Sequence, residues 1–315
     1  MNAGKVAVVI PCFRVKSSIL ELIKKIGPEV HAIYVVDDCC PEYSGDYVAA
    51  LCTDERVSII RHAKNKGVGG AVISGYQAAL QAHCDVVVKL DGDGQMDPVL
   101  IQDFIAPILA GEANYSKGNR FHDLERVRTM PFMRLCGNAM LSFITKFSSG
   151  YYNLFDPTNG YTAISGKALS LLPLSKISNR YFFESDVLFR LNTINAVVVD
   201  VPMDAVYGDE VSNLSIKKIL FPFLKGHSTN FVKRIFYNYF LRDFSIASIE
   251  LIFGLGIFLF GLGFGVYAWH DGSAKNQVAS SGTVMLSALP IIIGVQLLLS
   301  FLQYDIARVP TKPLK

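Results

Sequence analysis

The chain has 315 residues, 51% hydrophobic and 18% charged, against about 25% charged for an ordinary globular protein, so the composition argues against a wholly soluble molecule. Thirty Lys and Arg against 27 Asp and Glu leave a net charge of +3, too small for a nucleic-acid-binding polycation. The six cysteines show no CxxC spacing and the six histidines no HxxxH or HExxH, so neither a structural zinc site nor a disulfide framework is expected.

Residues 1–5 lead directly into a short apolar run that stops at Pro11, and no secretory leader is expected here. Short β-branched runs at 6–10, 32–36, 57–60 and 86–90 alternate with helical windows at 17–26, 47–51 and 68–82. Continuous apolar runs of this kind predict strands buried on both faces. Their alternation with helices predicts a mostly parallel α/β sheet with ligands gathered at the strands' C-terminal ends. Those ends carry Pro11-Cys12-Phe13, Asp37-Asp38 and Asp91-Gly92-Asp93. From 115 to 207 the pattern is mixed, with helices expected near 133–147 and 184–191 and a strand at 196–201. Across 216–244, Phe231, Ile235 and Tyr239, and Val232, Phe236 and Phe240, recur every four residues, while Lys233, Arg234, Asn238 and Arg242 lie largely elsewhere on the wheel. That is the pattern of an amphipathic helix lying at a membrane surface. Residues 251–269 and 283–302 contain no Asp, Glu, Lys or Arg, and each is long enough to cross a hydrocarbon core of about 30 Å. Lys217, Lys218, Lys225, Lys233, Arg234 and Arg242 precede them, Arg308, Lys312 and Lys315 follow, and Lys275 alone lies between. The positive-inside rule then places both ends in the cytoplasm, as a multi-pass hairpin in the cytoplasmic (inner) membrane. Gly261 and Gly265 give a GxxxG spacing that suits close helix packing, within the hairpin or between protomers. The expected organisation is an α/β domain at 1–215, juxtamembrane helices at 216–247, and a hairpin at 248–315 with spans near 249–269 and 283–303.

The chemistry concentrates at 91–98. Asp91 and Asp93 at the end of a buried strand project into the ligand crevice, where hard oxygen donors hold Mg²⁺ or Mn²⁺ and leave positions for a substrate diphosphate. Asp97-Pro98 reads as a helix N-cap followed by a first-turn proline. Asp37-Asp38 either accepts hydrogen bonds from a base or ribose, or closes an Asx turn. The stretch 65–71, Asn-Lys-Gly-Val-Gly-Gly-Ala, matches neither GxxxxGK[ST] nor GxGxxG, which leaves close approach to a ligand or helix–strand packing. Glu184 and Asp186 stand at a helix head, where the dipole favours acids whatever their role.

Together, Val9-Ile10-Pro11-Cys12-Phe13, Val35-Val36-Asp37-Asp38, Asn65-Lys66-Gly67, Asp91-Gly92-Asp93-Gly94-Gln95, Gly118-Asn119-Arg120 and Asp156-Pro157-Thr158-Asn159-Gly160-Tyr161 resemble the family 2 glycosyltransferases of the GT-A fold. Within them, the match is to the polyprenyl-phosphate sugar synthases that include dolichyl-phosphate mannose synthase. The resemblance covers about residues 5–215, and the paired C-terminal helices match the bacterial members. It implies an α/β, Rossmann-like GT-A catalytic domain that moves a sugar, with inversion, from a nucleotide donor (a UDP-hexose) to polyprenyl phosphate for cell-surface glycan assembly. By the same resemblance Pro11, Phe13, Asp37, Asp38, Lys66 and Asp91 border the nucleotide. Asp91, Asp93 and Gln95 hold Mg²⁺ or Mn²⁺, Arg120 and Arg134 grip the acceptor phosphate, and Asp156 faces the donor sugar or acceptor. Asp93, Asp156, Arg120 and Arg134 form the catalytic set, the bilayer is a partner, and a homo-oligomer, as a tetramer, is implied. Two departures stand out: Val15 replaces the glutamate common in the family, and 207–212 lacks its arginine. A phosphate monoester has a second pKa near ~6, so a dianionic acceptor needs positioning more than a base. The alternatives are a membrane-tethered transferase with a sugar-hydroxyl acceptor, which would need Asp156 or Asp186 as a base, and a non-catalytic sugar-nucleotide-binding scaffold.

Overall fold

The computed structural model describes residues 4–122, 132–203 and 216–314, with the side chains of 132–134 and 216–219 outside that description. The chain divides into two compact units, one of Met1–Arg234 with Pro310–Lys315 and one of Ile235–Val309.

The first unit is built on a seven-stranded sheet of order β3-β2-β1-β4-β6-β5-β7. Strands β1 (Val6–Cys12), β2 (Val30–Asp37), β3 (Val57–Arg61) and β4 (Val86–Lys89) are mutually parallel. Strand β6 (Thr162–Ser165) runs antiparallel to both β4 and β5 (Tyr115–Asn119), and β7 (Val198–Pro202) pairs parallel with β5. This is the expected α/β class, and β1 lies at the point where the strand order reverses, which is where open α/β sheets bind ligands. Helices α1 (Ile19–Lys24), α2 (Ser44–Leu51), α3 (Val68–Gln81) and α4 (Ile101–Leu109) fall between the first strands. Val6, Val8, Ile10, Val86 and Val88 are buried in one core cluster with Ile19, Leu22, Ile101 and Phe104. Helix α3 approaches β1 closely at Gly75, where a Cβ would stand 2.3 Å from the Val9 side chain.

Two details differ from the sequence reading. Strand β3 is only half-buried, because it forms the sheet edge and has one neighbour. Strands β5 and β6 escaped a hydrophobic pattern because their interior residues are polar: Ser116, Lys117 and Thr162 are buried.

Helix α5 (Phe132–Ser149) follows β5, α6 (Gly166–Leu171) follows β6, and α7 (Phe183–Thr193) precedes β7. Helix α8 (Ile216–Phe236) is fastened to this unit by polar contacts. His227 Nδ1 pairs with Ser148 Oγ at 2.8 Å, Asn230 Nδ2 donates to Asp186 Oδ1 at 3.1 Å, and Arg234 Nη2 donates to the Phe147 carbonyl at 2.8 Å. Arg234 is therefore 1% exposed and belongs to the packed face of the helix, where the wheel placed it among the solvent-facing cations. Phe221, Leu224 and Val232 remain exposed on α8.

The second unit is a helical hairpin. Helices α9 (Ile246–Lys275) and α10 (Ser281–Ala307) are both long and apolar enough to cross a membrane. They meet through glycine. A Cβ on Gly261 would lie 2.8 Å from the Ser287 carbonyl, one on Gly265 2.3 Å from Ser287 Oγ, and one on Gly294 2.7 Å from Phe258. The GxxxG residues thus face the partner helix of the same hairpin, whereas Gly256 and Gly263 look into open space. At one end, Tyr239 Oη donates to the buried Asp305 carboxylate at 2.7 Å and Arg308 pairs with Asp243 at 3.1 Å.

Candidate active site

A cleft of about 1220 Å³ opens at the C-terminal ends of β1 and β4. Pro11, Phe13, Asp38, Asp91, Asp93, Gln95 and Arg120 all line it. Lys66, Asp37 and Asp156 are not among the lining residues.

The Asp-Gly-Asp turn is held from below. Ser18 Oγ donates to the Gly92 carbonyl at 2.7 Å, Asp93 Oδ1 accepts from the Gln95 amide at 3.0 Å, and Gly94 takes φ +79°, a left-handed conformation that favours glycine. A Cβ on Gly92 would lie 3.0 Å from Val15, so β1 and β4 close tightly under the rim. Downstream, Asp97 accepts from the Val99 amide at 3.1 Å with Pro98 in the first turn, the cap expected from sequence. Asp91, Asp93 and Gln95 offer hard oxygen donors. Among the described residues no cluster of three His, Cys, Asp or Glu side chains forms a metal site. The set present suits an ion that completes its shell with substrate phosphates and water, the usual habit of Mg²⁺.

The adjacent carboxylates at the end of β2 have separate tasks. Asp37 accepts from the Cys40 and Gly45 amides, both at 2.8 Å, behind the cleft wall. Asp38 is 3% exposed and accepts from the Lys66 amide at 2.8 Å and the Gly67 amide at 2.7 Å, with His62 Nδ1 2.7 Å from Oδ1. It pins the glycine-rich turn, and Lys66 enters through its backbone. That turn lines the cleft through Asn65, Gly67, Val68 and Ala71, and its far side packs on the segment 178–180. Gly67, at φ +88°, and Gly69 lie where a Cβ would collide with the main chain of Asn179 and Ser178, and the Gly70 amide donates to the Asn179 carbonyl at 3.0 Å.

Arg120 and Asp156 form one device. The Asp156 side chain is fully buried, and it accepts from Arg120 Nε at 2.7 Å and Nη2 at 3.1 Å, while the guanidinium is 29% exposed at the cleft. Asp186 is equally engaged, accepting from the Ser178 amide at 2.9 Å, Arg190 Nε at 3.1 Å and Asn230 Nδ2 at 3.1 Å. Arg134 and the 207–212 loop fall outside the described side chains.

Sequence reasoning missed the buried cations. Lys89 closes β4 at 1% exposure, with Nζ 2.9 Å from Asp91 Oδ1 and 3.3 Å from Glu184 Oε1. Burial opposes its charge, but the two carboxylates outweigh burial and its pKa is raised. Lys117, on β5, donates to the Asn159 carbonyl, and burial lowers its pKa to about 8. Both sit within strands, where a period-two pattern carries no sign of a buried ion pair. Arg14 and Arg180, to which no role had been assigned, also line the cleft.

Residues 7–172, more than half of the chain, match the model of glycosyl transferase family 2. The chain belongs to this family. Among curated relatives of this family 2 chain, the UDP-N-acetylglucosamine–dolichyl-phosphate N-acetylglucosaminyltransferase of Methanococcus voltae is 35% identical over 48% of this chain and 60% of that protein. The polyprenol monophosphomannose synthase of Mycolicibacterium smegmatis is 28% identical over 62% of this chain and 75% of that one. In solved structures the fold recurs in glucosyl-3-phosphoglycerate synthase from Mycobacterium tuberculosis, in complex with Mn²⁺, UDP and glucosyl-3-phosphoglycerate. The TM-score is 0.54 at 18% identity, over 73% of this chain and 80% of that one.

Proposed function

We propose that this family 2 glycosyltransferase moves a hexose from a UDP-sugar to the phosphate of a polyprenyl lipid, with inversion, at the cytoplasmic face of a membrane spanned by α9 and α10. The single observation that carries the acceptor class is the Arg120–Asp156 pair. A buried carboxylate holds a guanidinium fork at the cleft mouth, and such a fork matches a phosphate bidentately. Relatives named for dolichyl-phosphate and polyprenol acceptors support the same class.

The reaction follows from the acceptor. Its phosphate is largely dianionic at neutral pH, so one of its oxygens can attack the anomeric carbon without a base while the bond to the nucleoside diphosphate breaks. Arg120 orients and neutralises the attacking phosphate, Asp156 fixes Arg120, and Pro11, Phe13 and the Asp38-pinned turn border the nucleotide. A divalent cation held by Asp91, Asp93 and Gln95 would neutralise charge on the departing diphosphate. A sugar-hydroxyl acceptor needs a base, and both candidates for it, Asp156 and Asp186, already accept several hydrogen bonds from the protein.

The test is to incubate the purified full chain with polyprenyl phosphate, Mg²⁺ or Mn²⁺ and a panel of nucleotide sugars, then extract with organic solvent. A sugar-phosphate lipid identified by mass is expected. Product found only in water with a glycan acceptor would reverse the acceptor assignment, and no turnover of any donor would favour the scaffold reading.

A further inference from the structure

Lys89 and Glu184 form a pair that the proposed chemistry leaves without a task. Glu184 lies in the first turn of α7 and lines the cleft alongside Asp91 and Gly160. Its side chain is 16% exposed, and its hydrogen bond to the described residues runs through Oε1, which meets the Lys89 ammonium at 3.3 Å. One oxygen is thus anchored by a buried cation while the other is left for the cleft. The wall around it is tight: a Cβ on Gly160 would stand 2.6 Å from Asp91 Oδ2 and 2.7 Å from Lys89 Nζ.

The chemistry of such a carboxylate narrows what it can bind. Glu184 already has the Lys89 ammonium as its counter-charge, and a phosphate is disfavoured by the carboxylate's own charge. An acceptor-only oxygen held rigidly at a cleft wall suits a neutral hydrogen-bond donor, and a hexose supplies a ring of hydroxyls. Sites built to accept from a hydroxyl discriminate strongly against analogues that lack it.

The geometry points to Glu184 as a specificity-determining residue that accepts a hydrogen bond from one ring hydroxyl of the donor sugar, with Lys89 as the positioning residue that aims it. This rests on the nucleotide-sugar reading above.

Calorimetry separates the two. The full chain in detergent is titrated with UDP-glucose, UDP-N-acetylglucosamine and GDP-mannose, and with free UDP and GDP. For the tightest sugar donor, Glu184→Ala is expected to weaken binding about 10- to 100-fold, the range of a hydrogen bond to a charged group, while the free nucleoside diphosphate binds as before. Among monodeoxy donors, one ring position should lose a similar factor on the parent protein and nothing further on Glu184→Ala. Glu184→Gln, which keeps an accepting oxygen, should restore part of the lost sugar affinity; a fold defect alone would weaken nucleotide and sugar alike. Equal losses for nucleotide and sugar, or unchanged sugar binding in Glu184→Ala, overturn the inference while leaving the transferase reading intact. Failure of the parent protein to bind any nucleotide sugar overturns that reading, and this inference with it.

Discussion

Replacing Asp156 by Asn keeps the shape of the side chain and removes its charge. Asp156 accepts three hydrogen bonds from Arg120: Nε at 2.7 Å, Nη2 at 3.1 Å and the backbone amide at 3.3 Å. Removing one partner of a fully buried ion pair costs about 3–5 kcal/mol. Here the guanidinium is 29% exposed, so water compensates part of its charge and the expected loss is about 2–3 kcal/mol. Cys12 and Cys84 are buried in the same unit, so their labelling by a thiol reagent reports its opening. A loss of that size accelerates labelling roughly 30- to 150-fold where opening is at equilibrium. The released fork should also raise KM for polyprenyl phosphate about tenfold or more while KM for the donor holds. A general base would behave differently, with kcat falling about 10²- to 10⁴-fold and the acceptor KM and labelling rate unchanged. That second pattern would refute Asp156 as the residue that positions Arg120.

Three further outcomes are expected. Asp93→Ala should abolish transfer at any Mg²⁺ or Mn²⁺ concentration while Cys12 and Cys84 label at the parent rate; full activity with metal present would remove Asp93 from the site. Burial lowers the His227 pKa to about 4, below the roughly 6.5 of an unfolded histidine. The unfolded chain therefore takes the proton first as pH falls from about 6.5 to 4, and stability drops across that window by on the order of 3 kcal/mol. His227→Gln should flatten this slope between pH 7.5 and 5, and an unchanged slope would show that other groups set it. In the hairpin, Gly261→Ala should destabilise by about 1–3 kcal/mol, because its Cβ meets the Ser287 carbonyl at 2.8 Å and the Ile291 amide at 2.9 Å. Gly263→Ala meets nothing within 4 Å and should be neutral or slightly stabilising; equal thermal stability of the two variants in detergent would contradict this packing.

The strands with apolar runs were legible because burial on both faces leaves no polar position, and the hairpin because two long stretches lack charge. The rim of the cleft was legible because turns after strands demand Asp and Gly at fixed places. Neighbouring carboxylates were harder to sort. Asp37 and Asp38 look alike in sequence, yet one lies behind the wall and the other pins a turn, and only the amides that reach them tell these apart. Lys89, Lys117 and Arg234 were misread or missed for a common reason: a buried cation is defined by partners such as Glu184 and Phe147, which are distant in sequence.

After the hairpin, the chain comes back to the sheet unit. The Leu314 amide donates to Asn114 Oδ1 at 2.9 Å, and Asn114 Nδ2 returns a bond to the Leu314 carbonyl at 3.4 Å, across 200 positions. Asn114 is 3% exposed and its Oδ1 also accepts from the Val197 amide, next to β7. In folding terms the sheet unit is discontinuous, and this contact is among its most non-local. Loop closure over such a span is slow, and on the ribosome it cannot begin until both apolar helices have been made. The sheet unit therefore completes itself only after its hairpin exists, which couples the last step of its folding to the fate of α9 and α10.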